Sequence, residues 1–315
     1  MFTSFAFDAL NVTARGACVA GTTTPGRIGK EDGQIARLSK TTITLLATSL
    51  IVCSSAGSAR AQSTLYVDGD ASGPSHDGTS WCTAFLYLQD ALSAAVEGDE
   101  IRVADGVYTP DRGADYFTRD REAAFGLLTG MAVRGGYAGC GAAEPDHRDL
   151  AAHESILSGD LRGDDEGFLN NYDNSYHVLN GSDTEETAIL DGFTISGGNA
   201  NGGPIEEHKG GGLYIIHAGD PTLINCTFVG NSANYHGGGM YSYDGSRPLL
   251  INCAFIGNYC DYDGGGMYNW TSRPTLVNCM FTGNVADEDG AGVGRPMLRA
   301  PEASPDALVW RSRRM

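Results

Sequence analysis

Positive charge is scarce in this chain: Lys and Arg number 21 against 39 Asp and Glu, a formal net charge of −18. More than half of the basic residues sit at the two ends, and residues 63–294 hold 10 basic against 34 acidic, net −24. Such a surface repels nucleic acid, anionic lipid and polyanionic sugars unless a divalent cation intervenes, so nucleic acid is excluded as a partner. Long apolar runs are missing as well. The run at 43–52 is about ten residues where a spanning helix needs about 20, so no stable membrane span is expected. Neither H-E-x-x-H nor G-x-S-x-G occurs, and the eight cysteines do not fall at zinc-ligand spacing. Glycine, at 44 residues, is about twice its usual share, yet no G-X-Y period appears. Collagen is thereby excluded and turn-rich β structure favoured.

What is present begins with an export signal. Arg37 and Lys40 precede the apolar run, and Ala59-Arg60-Ala61 follows it as an A-x-A cleavage site before Gln62. Residues 1–61 therefore read as a leader whose core is about 37–61, with translation starting inside the printed sequence. Cys53 invites a lipoprotein reading, but Val52 before it has the wrong size. Export places the mature chain in an oxidising compartment, secreted or on the outer cell surface. Of the six cysteines left there, Cys82 and Cys140 are the best disulfide candidates, because Cys226, Cys253 and Cys279 belong to a repeat.

That repeat aligns 221–231 (PTLINCTFVGN), 248–258 (PLLINCAFIGN) and 274–284 (PTLVNCMFTGN), and a glycine-rich element alternates with it at Gly210, Gly237, Gly264 and Gly290. Successive copies are 27, 27 and 26 residues apart. A period in the twenties means a solenoid. The spacing of Leu223, Cys226, Phe228 and Asn231 also fits a leucine-rich repeat, but three consecutive glycines oppose the helical half of such a unit, each costing about 1 kcal/mol relative to Ala. The expected fold is all-β: a right-handed parallel β-helix of about 27 residues per coil, stacking like strands on like.

Period-2 alternation puts Ile224, Cys226 and Phe228 inward, then Ile251, Cys253 and Phe255, then Val277, Cys279 and Phe281. The cysteines form an interior ladder of small hydrophobes rather than bridged rungs. Phe228, Phe255 and Phe281 stack beside them. Asn231, Asn258 and Asn284 follow glycines at turns, where Asn tolerates left-handed geometry and its amide can bond the next coil. Earlier coils are degenerate: 190–198 repeats the inward pattern with Phe193 and Ile195, and strands are expected at 100–104, 131–134, 155–158 and 176–179. The β-helix then spans 99–294, clearest at 210–292. Leu88, Leu92 and Val96 mark an amphipathic capping helix over 85–96, ended by Gly98, within a lead-in segment at 62–98.

The Phe-x-x-Asn element, with Gly-Gly-x followed by Leu or Met between copies, resembles the repeats of polymorphic outer-membrane proteins and of secreted bacterial pectin-lyase-like β-helix proteins. Residues 65–70 (LYVDGD), 78–81 (GTSW), 88–92 (LQDAL) and 99–108 (DEIRVADGVY) look like the start of such proteins. Gly239 and Gly266 depart from the family, which usually has Ala there. The resemblance implies a scaffold that continues into more coils, whereas 295–315 has neither repeat nor strand pattern. That tail reads as disordered or frame-shifted, and the chain as a truncated product.

Chemistry is harder to find. A lyase needs carboxylates grouped on a strand face to hold Ca²⁺ and an Arg or Lys base; a hydrolase needs two or three Asp in adjacent coils. The repeat offers neither, so no catalytic and no metal residue is assigned there. Asp220, Arg247 and Arg273 precede Pro in successive coils and read as a surface ion-pair ladder. Asp68, Asp70 and Ser72 copy the first half of a calcium loop, but Thr79 stands where its final Glu is required. A plain turn is expected, no cofactor is assigned, and calcium is the one cation the segment invites. Tyr214, Tyr241 and Tyr268 stack in register with Tyr243 and Trp270; facing outward, Tyr241, Tyr243, Tyr268 and Trp270 form a carbohydrate platform, and facing inward they are core. Two functions follow as expectations. One is an exported, non-enzymatic surface or matrix module for adhesion, binding glycan or a cell-surface protein. The other is a polysaccharide lyase or glycoside hydrolase fragment with its site among Asp160, Asp164, Asp165, Glu166, Asp173 and Asp191.

Overall fold

The computed structural model describes residues 62–294; the expected leader and signal peptide at 1–61, with Cys18 and Cys53, and the expected non-repeat tail at 295–315 lie outside the described residues. Within them the chain is an all-β solenoid of four sheets whose neighbouring strands are all parallel. The first sheet stacks Thr64–Val67, Glu100–Ala104, Ala132–Tyr137, Ile189–Asp191, Thr222–Ile224, Leu249–Ile251 and Thr275–Val277. A second follows one bend later in each coil and includes Ser155–Ser158, Thr194–Ser196, Thr227–Val229, Ala254–Ile256 and Met280–Thr282. The third carries Leu179–Asn180, Leu213–Ile215, Met240–Tyr243 and Met267–Trp270. A short fourth sheet links Asn199–Ala200, Ser232–Ala233, Tyr259–Cys260 and Val285–Ala286. Backbone groups that one strand cannot satisfy are taken up by the coil on either side, which is what stacking achieves.

The sheet begins earlier than the sequence pattern indicates, because Thr64–Val67 pairs with Glu100–Ala104. The helix lies between these two strands as Leu88–Ala94, shorter than 85–96. Its Leu88, Ala91 and Leu92 are buried with Val67, Ile101 and Val103 in the main core. It ends at Ala95, whose backbone is already extended. Gly98 (φ +95) turns the chain three residues later instead of closing the helix.

Strict alternation fails at one residue per coil. Asn225, Asn252 and Asn278 sit in the left-handed region, φ 52, 55 and 52, a conformation Asn accepts more readily than most residues. The bend advances the phase by one. Leu223 and Leu250, not Ile224 and Ile251, face the core beside Cys226 and Phe228, Cys253 and Phe255. In the last coil, which has no coil stacked beyond its first strand among the described residues, Leu276 and Val277 are both exposed. The left-handed glycines of the repeat are Gly230, Gly257 and Gly283, so Asn231, Asn258 and Asn284 are relieved of that duty and turn inward. Gly239 is glycine for a steric reason: a Cβ there would stand 2.5 Å from the Gly266 carbonyl oxygen and 2.9 Å from Phe255. Alanine does not fit between coils this close.

Two interior ladders hold the regular coils in register. Phe228, Phe255 and Phe281 stack nearly parallel, ring centroids 4.7 and 4.8 Å apart. Beside them Asn231 Nδ2 donates to Asn258 Oδ1 (3.0 Å) and Asn258 Nδ2 to Asn284 Oδ1 (2.9 Å). The second hydrogens go to the carbonyls of Ile195 and Phe228. Cys226, Cys253 and Cys279 are free thiols, the first two buried. The buried Cys260 packs with Ala200, Ala233 and Ala286 in a separate cluster. Cys82 and Cys140 form a disulfide, S–S 2.00 Å, that ties the lead-in segment to the loop after Ala132–Tyr137.

Candidate functional site

The aromatic stripe divides in two. On Met240–Tyr243 and Met267–Trp270, Met240, Ser242, Met267 and Asn269 point into the core and are buried; the rings take the opposite face. Tyr214, Tyr241 and Tyr268 stack at 5.7 and 6.0 Å. This stack is roofed: His177 lies flat on Tyr214 at 4.7 Å, His236 on Tyr268 at 4.2 Å, and the Lys209 amine sits 5.3 Å above Tyr241. Tyr241 and Tyr268 are only 2% and 3% exposed, and burial pushes the Tyr214 hydroxyl up to about 12. Neither Tyr241 nor Tyr268 offers a face to a ligand, which removes half of the expected platform. Tyr243 and Trp270, two residues further on, are 39% and 41% exposed. They stand 6.0 Å apart and edge-on at 70°, so a bound ring would stack on one while meeting the edge of the other.

The carboxylates at 160–191 do not form one group. Asp191, on the first sheet, is gripped by Arg134 (2.8 Å) and Arg148 (2.9 Å) and accepts the Asn225 amide at 2.9 Å. Asn252 and Asn278 continue that line as an external amide ladder. Asp173 pairs with Arg162. Glu166 is exposed. Asp160, Asp164 and Asp165 do converge, each with an oxygen within 4.8 Å of the others. Burial, followed by the charges of Asp160, Asp164 and Asp173, raises the Asp165 carboxyl to about 6, with the Asn174 amide opposing. A raised carboxyl beside a second carboxylate is the arrangement of a glycosidase acid. Here, however, Asp165 Oδ1 has no accessible surface and Oδ2 is occupied by Asn174 at 2.6 Å, so no glycosidic oxygen can reach it.

Asp68 accepts the backbone N–H groups of Asp70 (2.9 Å) and Cys140 (2.7 Å), and Thr79 is held by Asp77; the half calcium loop is a turn that fastens the bridged loop. Asp220 accepts the backbone N–H of Arg247, and among the described residues no ion pair joins Asp220 to Arg247 or Arg273. The ladder before Pro is therefore a carboxylate–amide contact rather than a charge pair.

One feature has no sequence signal. An open cleft of about 500 Å³ is lined by Tyr116, Asp120, Glu122, Asn180, Ser182 and Asp183. These residues belong to no repeat, and only the coil spacing brings the two halves together. Their carboxylates suit hydroxyl-rich rather than anionic ligands.

No family model matches the chain, and no curated protein matches it. Among solved structures the chain is similar to a rhamnogalacturonan lyase at 15% identity and a TM-score of 0.34, with 75% of this chain covered. The chain spans 65% of the length of that lyase, and a likeness at this level carries no argument about activity.

Proposed function

We propose that this chain is an exported, non-enzymatic β-helix module that binds a neutral glycan along its side. The observation that carries the reading is the pair Tyr243 and Trp270, exposed in register at the end of a tyrosine ladder that is otherwise buried. Aromatic rings offer the apolar face of a sugar a flat partner, while a net charge of −24 over 63–294 repels uronates. The Cys82–Cys140 bridge suits an oxidising compartment. The engagement of Asp191, Asp173 and Asp165 described above supports binding over hydrolysis.

The test is retention of the purified full chain on insoluble or gel-immobilised neutral and acidic polysaccharides, with reducing ends and unsaturated uronate measured in the same samples. Retention on a neutral polysaccharide that drops about tenfold or more in the Tyr243→Ala, Trp270→Ala double variant is expected, a stacked ring being worth about 1 kcal/mol. Retention untouched by the double variant, or turnover lost with Asp164→Ala, would overturn it.

A further inference from the structure

We propose that the loop following Ser155–Ser158 is a divalent-cation site fitted to Ca²⁺, ligated by Asp160, Asp164 and Asp165 together with the side-chain oxygen of Asn174. The carboxylates supply the first observation. Their ligand oxygens all lie within 4.8 Å of one another, close enough that a small inward rotation of the exposed Asp164 side chain brings all three to a Ca²⁺–oxygen distance of about 2.4 Å. Asp160 Oδ1 accepts the backbone N–H groups of Arg162, Gly163 and Asp164, yet Oδ2 accepts only that of Asp165, leaving a lone pair free. Asp164 is exposed and its carboxylate lies on the solvent side.

The independent observation is Asn174, 1% exposed. Its Nδ2 donates both to Asp165 Oδ2 (2.6 Å) and to the Gly197 carbonyl (2.7 Å), which fixes the carboxamide so that it cannot be flipped without losing both bonds. Its Oδ1, on the same small group that touches Asp165, is buried and accepts nothing. Asp165 Oδ1 is buried and unpartnered in the same way, and so is Asp173 Oδ1. A buried acceptor without a donor is costly, and native proteins leave few of them. Arg162 answers Asp173 through its other oxygen, but among the described residues no ion pair reaches Asp160, Asp164 or Asp165, and three buried acceptors beside them stay without a donor. A proton on Asp165 supplies one donor for one oxygen; a divalent ion serves the carboxylates and the amide oxygen at once. Oxygen ligands from carboxylates and an amide, on a loop rather than a rigid strand, are the donor set and flexibility that Ca²⁺ tolerates and Mg²⁺ does not.

This inference does not depend on glycan binding, and its experiment reads the ion alone. Full-length protein stripped with EGTA and desalted is titrated with CaCl₂ by calorimetry, and its thermal unfolding is followed with and without the ion. One ion per chain is expected, with a Kd of roughly 10⁻⁴–10⁻³ M, and a Tm that rises with CaCl₂. Asp165→Asn and Asn174→Ala are each expected to weaken Ca²⁺ about tenfold or more, because ligand charge and number set the affinity. Asp164→Asn keeps the test sound should a buried substitution perturb folding, since that side chain is exposed; it too is expected to weaken Ca²⁺ while leaving the cation-free Tm in place. Absence of saturable heat, or unchanged Ca²⁺ affinity in Asp164→Asn and Asp165→Asn, overturns the site. Competition by Mg²⁺ at equal strength overturns the assignment to Ca²⁺.

Discussion

The regular coils at 210–294 and the loop at 159–175 solve the same problem, the pairing of buried polar groups, in opposite ways. In the coils the two repeated lines of asparagines find their own kind one turn away. Asn258 gives to Asn284 and receives from Asn231, and the outer line of Asn225, Asn252 and Asn278 does the same. In the loop no neighbouring coil repeats the sequence, and buried oxygens of Asp165, Asp173 and Asn174 are left without donors. Repetition satisfies polar groups without a ligand; irregularity leaves them wanting one. Substitutions in the first region should therefore cost stability in any buffer, and those in the second should matter according to what is in solution.

The largest effect is expected from Phe255→Ala. Phe255 is fully buried and stacked on both sides, and such truncations cost about 3–5 kcal/mol. Urea unfolding should show it as a lowered midpoint. A midpoint within experimental error of the parent would mean that the ladder does not hold the coils together. Next is Asn258→Ala, which removes the acceptor of the Asn231 backbone N–H and of one Asn231 amide hydrogen, and a donor to the Phe228 carbonyl, while Asn284 Oδ1 keeps the backbone N–H of residue 258. Orphaned buried groups cost about 1–3 kcal/mol apiece before relaxation, so a loss of about 3 kcal/mol is expected. Asp164→Ala, in the loop, should leave the same midpoint unmoved when EGTA is present.

The contrast also explains what could be read from the residues alone. The period of 27, the parallel stacking, the phenylalanine ladder and the inward cysteines were legible, because a solenoid writes its contacts into the sequence as repetition. The phase of Leu223 against Ile224 was not, since one left-handed Asn per coil breaks the alternation and that backbone angle leaves no mark on a hydrophobicity pattern. Burial of Tyr241 and Tyr268 was hidden for another reason. Their cover comes from Lys209 and His236, which lie outside the repeated element. The density of acids at 160–173 was visible, but the buried Asn174 oxygen that distinguishes a site from a solvated turn depends on packing against Gly197. The cleft beside Asp120 and Asp183 draws on two coils that share no motif.

A smaller effect of the opposite sign tests whether the regular coils are uniform. Asn269 faces the core on the strand Met267–Trp270, in line with Ser242 and Ile215, and neither of its amide atoms has a partner. Asn269→Val puts an apolar, β-branched side chain where Ile215 already sits two coils earlier. A gain of about 1–2 kcal/mol is expected from removing an unsatisfied amide, read as a higher urea midpoint. Loss of stability instead would show that Asn269 has a partner in the folded chain.

The subtlest test sets the two regions against each other through pH. Burial lowers His177, on the roof of the tyrosine stack, to about 4, with its bond to the Gly210 carbonyl (3.0 Å) opposing. Between about pH 6.5 and pH 4 the unfolded chain therefore binds a proton that the folded chain refuses, and stability falls as pH falls. Asp165 works the other way. Its carboxyl is raised to about 6 from an ordinary 3.8, so over that window the folded chain keeps a proton that the unfolded one releases, and stability rises as pH falls. In EGTA the two slopes oppose each other in the parent chain. Asp165→Asn should leave the loss towards acid uncovered, and His177→Gln should leave the gain, both read as Tm against pH from 4 to 7, a span set by the two windows. Saturating Ca²⁺ should tilt the parent towards the Asp165→Asn profile, because an ion on the carboxylate displaces its proton. Identical profiles for the parent and both variants would separate neither region, and the contrast between self-satisfied coils and a ligand-seeking loop would fail.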